Sequence, residues 1–274
     1  MHISILCENH HETRIKKEKY VEYTPEKEVF CMLWISTLSY IVMIVINALS
    51  NILPIGGRTT GEISNALEVL FTPAGYVFSI WSLIYILLAV WLIREWIQYR
   101  KEGHINRRLH TLFIFSSILN ASWILVWHNG LFLLSVAVMI LLLITLIMIY
   151  KITIQHSSKI TRFPFSLYLG WISVAFLANI SYYAVFTDVD LIVETQIYWT
   201  IGLLLVSGLV PVFMRKNWND WVYPLVFVWA FIGITVRNIE DAPYVGSVAL
   251  GLAIAILASI FLVHSKSNTN SGYE

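Results

Sequence analysis

An all-α polytopic membrane bundle, with eight transmembrane helices and both termini in the cytoplasm, is the fold class this sequence predicts. Three observations predict it. The chain has 274 residues, 58% hydrophobic and 13% charged, about half the charged fraction of an ordinary soluble domain. Its apolar residues fall into eight blocks, most of them close to the ~20 residues a helix needs to cross the hydrocarbon. The basic residues gather on alternate connections between those blocks.

The blocks run over residues 30–53, 73–93, 109–127, 131–150, 164–186, 197–214, 221–236 and 244–263. The first follows a polar, charged stretch and is too long for the apolar core of a signal peptide, so it is read as a retained span. Asn129-Gly130 is a tight-turn pair between the third and fourth, so those two form an antiparallel hairpin. The seventh is the shortest. The eighth carries Ser247, Gly251, Ala255 and Ser259 at four-residue spacing. Such a small-residue seam lets two helices approach closely, either within the protomer or between the protomers of a homodimer.

Orientation follows from charge. With the amino terminus inside and eight crossings, all 18 Lys and Arg residues except Arg58 and Arg237 fall on the inner side. Adding or removing one span would scramble that partition. The outer connections carry Glu62, Glu68, Asp188, Asp190, Glu194, Glu240 and Asp241. The longest of them, residues 54–72, reads as a surface loop that can act as a lid. Its Gly56–Glu62 run lacks the lysine, spacing and strand of a phosphate loop.

Several functions are disfavoured. No Asp, Glu, Lys or Arg lies inside an apolar block, whereas ion-coupled pumps and voltage sensors place such groups in the membrane. No span carries zinc-ligand spacing. His110 and His128 stand at span ends, and His2, Cys7, His10 and His11 are loosely spaced in the amino-terminal tail. No nucleophile, acid–base pair or metal site emerges, so the chain is read as a non-enzyme without a cofactor. Nothing in its charge suggests nucleic acid.

What the spans do contain is aromatic and amide side chains on single helical faces. Phe78, Trp81 and Tyr85 follow i, i+3, i+7 in the second span, and Asn120, Trp123 and Trp127 repeat that spacing in the third. Trp171, Ala175, Asn179 and Tyr182 form a stripe in the fifth. An asparagine in hydrocarbon needs a partner, so these faces turn inward. They either glue helices together or wall an aromatic cavity for a flat, apolar small molecule.

The segment Pro73-Ala74-Gly75-Tyr76-Val77-Phe78-Ser79-Ile80-Trp81-Ser82-Leu83-Ile84-Tyr85 resembles the start of the second helix of the TspO/MBR family, the tryptophan-rich sensory and translocator proteins. Leu119-Asn120-Ala121-Ser122-Trp123 resembles that family's third-helix motif, and Trp171 with Ala175 and Asn179 its fifth-helix pattern. The resemblance covers about residues 30–186. It implies a five-helix bundle binding porphyrins and synthetic aromatic ligands in a pocket roofed by the first loop, with Tyr76, Phe78, Trp81, Asn120, Trp171 and Ala175 contributing. The chain departs from the family in a longer first loop without tryptophan, in Tyr76 where many members have Trp, and in three further spans. The expected division is a cytoplasmic tail (1–29), a five-helix bundle (30–186), three additional helices (187–264) and a second cytoplasmic tail (265–274).

The expectation is thus a sensor- or receptor-like multi-pass protein of the cell membrane, partnered by the bilayer and by a planar hydrophobic ligand such as a tetrapyrrole. The expected ligand-binding set is Tyr76, Phe78, Trp81, Tyr85, Asn120, Trp123, Trp171, Ala175 and Asn179. The alternative is a facilitative transporter of a small amphipathic molecule.

Overall fold

In the computed structural model, residues 26–52, 57–155, 158–187 and 193–263 are described, and among them there is no strand. The helices are α1 (Glu26–Ile52), α2 (Thr60–Ser64), α3 (Ile80–Glu102), α4 (Arg107–His128), α5 (Phe132–Ile154), α6 (Lys159–Thr187), α7 (Val193–Trp218), α8 (Val222–Asn238) and α9 (Pro243–Leu262), with a 3-10 turn at Gly75–Ser79 leading into α3. The expected bulk of both tails, with its His2, Cys7, His10 and His11, lies outside the described residues.

Among the described residues, seven helices are long and apolar enough to cross a membrane. The eighth, α8, has 17 residues, about 26 Å of helix against a hydrocarbon core of about 30 Å. It nevertheless runs the height of the bundle. Asp220, just before its start, accepts hydrogen bonds from Tyr150 at the end of α5 and Ser166 near the start of α6. Asn238, its last residue, donates to Leu70 O in the connection before the 3-10 turn.

The same reasoning orders the other helices. Glu28 at the start of α1 pairs with Arg107 at the start of α4 (2.9 Å). Arg94 near the end of α3 donates to Thr161 in α6, and Arg215 near the end of α7 donates to Ile260 O near the end of α9 (2.9 Å). One end of the bundle therefore gathers Arg94, Arg107, Arg162, Arg215 and their neighbours, whereas Arg237 lies at the other, hydrogen-bonded to Asn65. This matches the segregation expected from eight alternating crossings. Outward-facing Leu38, Ile86, Leu133, Phe213 and Ile254 are exposed, as befits a surface solvated by lipid chains.

The turn between α4 and α5 forms as its sequence suggests, with Gly130 at φ +69°. The small-residue seam of α9 does not pack inside the protomer: Ser247, Gly251 and Ala255 face outward, and nothing lies within 4 Å of a side chain placed at Gly251.

α6 is the axis of the fold. It packs on α3, α5 and α8, while α7 and α9 close around α8. The last three helices are joined to the rest largely through α8. Gly170 of α6 lets Val226 approach to 3.0 Å of where a Cβ would stand. Gly233 accepts from the Ala74 N–H (3.1 Å), and Trp229 Nε1 donates to Val77 O (3.1 Å). The final helices thus hold the 3-10 turn that feeds α3.

The interior is not free of ionisable groups, contrary to the expectation from the apolar blocks. Helix α3 continues nine residues past Ile93, and Glu95 is buried against His110, with Nε2 3.2 Å from Oε2. Ser36 Oγ donates to Met32 O and lies 3.0 Å from His110 Nδ1, on the other side of the imidazole. Asp220, expected in an inner connection, is also buried. It takes Tyr150, Ser166 and Arg162 on one oxygen and the Val222 and Tyr223 N–H groups on the other. Hydropathy marks the lipid-facing length of a helix, whereas helices packed on one another can bury charge that is paired.

Candidate functional site

The three aromatic and amide stripes converge beneath the first connection. Two indoles meet from α3 and α6: Trp81 stands edge-on to Trp171, ring centres 6.0 Å apart, and Phe78 packs on the same indole at 5.8 Å. From α4, Trp123 and Trp127 stack on each other at 5.7 Å, and Trp127 meets Tyr182 of α6 at 4.8 Å. These edge-to-face and offset contacts are the arrangements that ring quadrupoles favour.

Amides lock the walls. Trp123 Nε1 donates to Asn179 Oδ1 (3.2 Å), and Asn179 Nδ2 donates to Ser135 of α5 (3.0 Å). One layer deeper, Asn47 of α1 donates to Asn120 Oδ1 (2.8 Å), whose own amide donates to Tyr168 Oη (2.9 Å). Tyr168 in turn touches Trp81 edge-on. Each buried asparagine thereby has the partner hydrocarbon demands.

Two spaces adjoin at Phe78 and Trp81. On one side is a hollow of about 40 Å³ walled by Phe78, Trp81, Trp123, Trp127, Trp171, Ala175, Asn179 and Tyr182, and closed by Ser64, Thr72 and Pro73. That volume has room for roughly two or three waters. On the other side is a cleft of about 480 Å³ between α1, α2 and α3, lined by Asn47, Asn51, Thr60, Ser82 and Tyr85 as well as Phe78 and Trp81. The two rings form a partition, with Trp81 stacked on Tyr85 at 5.5 Å.

The roof is the connection expected to act as a lid. Its helix α2 is a capping box: Thr59 accepts from the Glu62 N–H, and Glu62 accepts from the Thr59 N–H. That backbone hydrogen bond holds the Glu62 carboxyl below its usual 4.5. Ile63, Val69 and Phe71 are buried beneath the roof and anchor it.

Polar satisfaction is incomplete around these spaces. Trp127 Nε1 and Trp171 Nε1 from the hollow, and Tyr85 Oη from the cleft, are buried without a hydrogen-bond partner among the described residues. Most buried polar atoms in folded proteins have one.

Of the nine expected residues, Phe78, Trp81, Trp123, Trp171, Ala175 and Asn179 line the hollow, and Tyr85 lines the adjoining cleft. Tyr76 stands apart, 44% exposed, with its ring edge-on to Trp229 of α8. Two residues from Phe78 along the helical turn Gly75–Ser79, it points to a different side. Asn120 lines neither space and acts one layer below. Trp127, which shares the third-span stripe but was not among the nine, is buried in the wall of the hollow. Asn47, Ser135 and Tyr168 were not anticipated. Asn47 was findable as an amide inside the first span. Tyr168 was findable too, three residues before Trp171 on the same stripe of the fifth span, whereas Ser135 had no signal apart from its partner.

The fold defines a polytopic α-helical membrane protein whose helices enclose an aromatic-walled hollow. The chain matches the model of the TSPO-like protein family over residues 33–262 and belongs to that family. The match runs through α7, α8 and α9 and so extends beyond the residues 30–186 that carry the sequence motifs. No curated protein and no solved structure matches the chain.

Proposed function

We propose that this protein binds a flat, hydrophobic small molecule, with tetrapyrroles as the leading class, between α3, α4 and α6 under the α2 roof. The observation that carries the reading is the set of three partnerless donors, Tyr85 Oη, Trp127 Nε1 and Trp171 Nε1, distributed around the Phe78–Trp81 partition. A ring system with acceptor atoms or carboxylate edges would stack on the indoles and take those hydrogen bonds. The 40 Å³ hollow alone is far too small for a tetrapyrrole. Binding therefore requires the partition rings to swing and join the hollow to the 480 Å³ cleft. Membership of the TSPO-like family supports the reading. So do the aromatic and amide groups that line the two spaces, which are suited to stacking and hydrogen bonding. We place the protein in the cell membrane with its basic end, and both termini, facing the cytoplasm.

The test is tryptophan emission during titration with protoporphyrin IX. Saturable quenching is expected in the wild type. Trp171→Phe keeps the ring and removes the N–H, and Trp81→Ala removes the partition; each should weaken binding at least several-fold. Absence of saturable quenching, or equal affinity in all three proteins, would reject the proposal.

A further inference from the structure

At the basic end, the fold leaves a crevice of about 530 Å³ between the start of α6, the end of α7, the start of α8 and the end of α9. Its mouth carries Arg162 and Arg215, and its floor is apolar, formed by Leu225, Leu257 and Phe261. A second crevice of about 440 Å³ lies between α3, α6 and α8, walled by Leu83, Leu87, Leu167, Val226 and Trp229. The two share Phe163, Trp221 and Leu225. Trp221, packed edge-on against Phe163 at 5.2 Å and 43% exposed, stands between them as a ridge.

We propose that these paired crevices are a site for a diacyl phospholipid with a net negative headgroup. The phosphate sits against Arg215 and Arg162, and the two chains straddle Trp221, one in each apolar crevice. This proposal is independent of the ligand assigned to the aromatic site.

Charge complementarity supports an anionic head. The one acid lining the charged crevice, Asp220, is buried with both oxygens already accepting from Tyr150, Ser166, Arg162 and the Val222 and Tyr223 N–H groups. It offsets Arg162 but faces no incoming anion openly. Arg215 pairs with no carboxylate among the described residues. Its Nε donates to Ile260 O and its Nη1 to Asn219, which fixes the guanidinium plane and leaves Nη2 free. Lys216 beside it adds a second positive charge. An arginine so oriented favours phosphate over a neutral head, and basic pockets between transmembrane helices are suited to acidic lipid heads.

Depth and shape support a lipid over a free anion. Arg162 lies in the first turn of α6 and Arg215 in the last turn of α7, at the level where a phospholipid phosphate lies. Below them Leu83 and Leu257, which line the two crevices, are exposed on the lipid-facing surface, and Phe261 flanks the mouth. A soluble phosphate would gain nothing from that apolar length.

Delipidated full-length protein, offered phosphatidylglycerol and phosphatidylcholine of identical chains, should retain the first preferentially in native mass spectrometry. One basic residue near the headgroup is worth about fivefold. Arg215→Gln should abolish that preference, Leu83→Trp should lower retention of both lipids by filling the second crevice, and Arg58→Gln at the opposite end should change nothing. Equal retention of the two lipids, survival of the preference in folded Arg215→Gln, or displacement of phosphatidylglycerol by inorganic phosphate alone would overturn the assignment. If Arg215→Gln does not fold, chain-brominated lipids decide on otherwise native protein. Brominated phosphatidylglycerol must quench the emission that Trp221→Phe removes, and equal quenching by brominated phosphatidylcholine overturns the site.

Discussion

Replacing Gly233 by alanine is expected to damage a site to which that residue contributes no atom. Gly233 lies in α8 against the 3-10 turn, and a Cβ there would stand 2.2 Å from Val77 Cγ2 and 3.1 Å from Pro73 Cβ. Ordinary contact begins at about 3.4 Å, so the two segments must part by roughly 1 Å. Val77 is wholly buried and has no room to rotate. Parting the segments stretches the Ala74 N–H bond to Gly233 O and the Trp229 bond to Val77 O, both 3.1 Å. Overpacking costs about 1–3 kcal/mol, and weakening the two bonds adds about 1 kcal/mol. The helix-propensity gain of alanine over glycine returns about 1 kcal/mol. The net loss is therefore about 2 kcal/mol, a fall in Tm of roughly 4–8 °C for a chain of this size. Pro73 and Phe78 lie on the displaced turn and line the hollow, so ligand affinity should fall with stability. The assay is thermal unfolding in detergent beside Gly251→Ala, where the added methyl meets open space and should be neutral or slightly stabilising. If Gly233→Ala melts with the wild type and with Gly251→Ala, the argument that α8 positions the 3-10 turn is refuted.

Other perturbations have distinct signatures. Asn120→Ala removes the amide that bridges Asn47 of α1 and Tyr168 of α6. It should destabilise by about 1–3 kcal/mol, at roughly 0.6–1.7 kcal/mol for each membrane hydrogen bond, and an unchanged melting profile would contradict the bridge. Asp220→Asn leaves the half-buried Arg162 beside a neutral group and should cost about 2–3 kcal/mol, read as loss of folded protein on size exclusion. The Glu62 carboxylate is held below its ordinary value of 4.5 by the Thr59 N–H. Its contribution to the α2 cap is therefore present at neutral pH and lost as pH falls through that lowered value. Amide exchange at Ile63, corrected for intrinsic rate, should then rise at low pH in the wild type and be already raised in Glu62→Gln.

The stripes of α3, α4 and α6 were legible because helical periodicity is local: spacings of three, four and seven place side chains on one face whatever surrounds them. For the same reason Trp81, Trp123, Trp171 and Asn179 could be named before any packing was known. Tyr76 was named by resemblance alone, and it stands against Trp229 of α8, on a different side of the turn from Phe78, a contact that its local sequence does not announce. Trp127 was placed on the third-span stripe by spacing, but its position at the end of an apolar block left it out of the expected binding set. It is covered by Phe132 and Tyr182, a tertiary fact. Glu95 and His110 escaped notice because they are 15 residues apart on two helices and each looks like an ordinary helix-end residue alone. The roles of α7, α8 and α9 were unreadable for a similar reason. Gly233 and Trp229 act on Ala74 and Val77 across more than 150 residues, and only packing reveals such pairs.

The claim on which the functional account rests is that Phe78 and Trp81 form a movable wall between two parts of one ligand site. A structure of the protein bound to protoporphyrin IX tests it most directly. The account predicts ligand density spanning both spaces, the Trp81 ring turned away from Trp171, and polar atoms of the ligand within hydrogen-bond distance of Tyr85 Oη or the Trp171 N–H. Ligand bound elsewhere, with Phe78 and Trp81 still separating the hollow from the cleft, would contradict it.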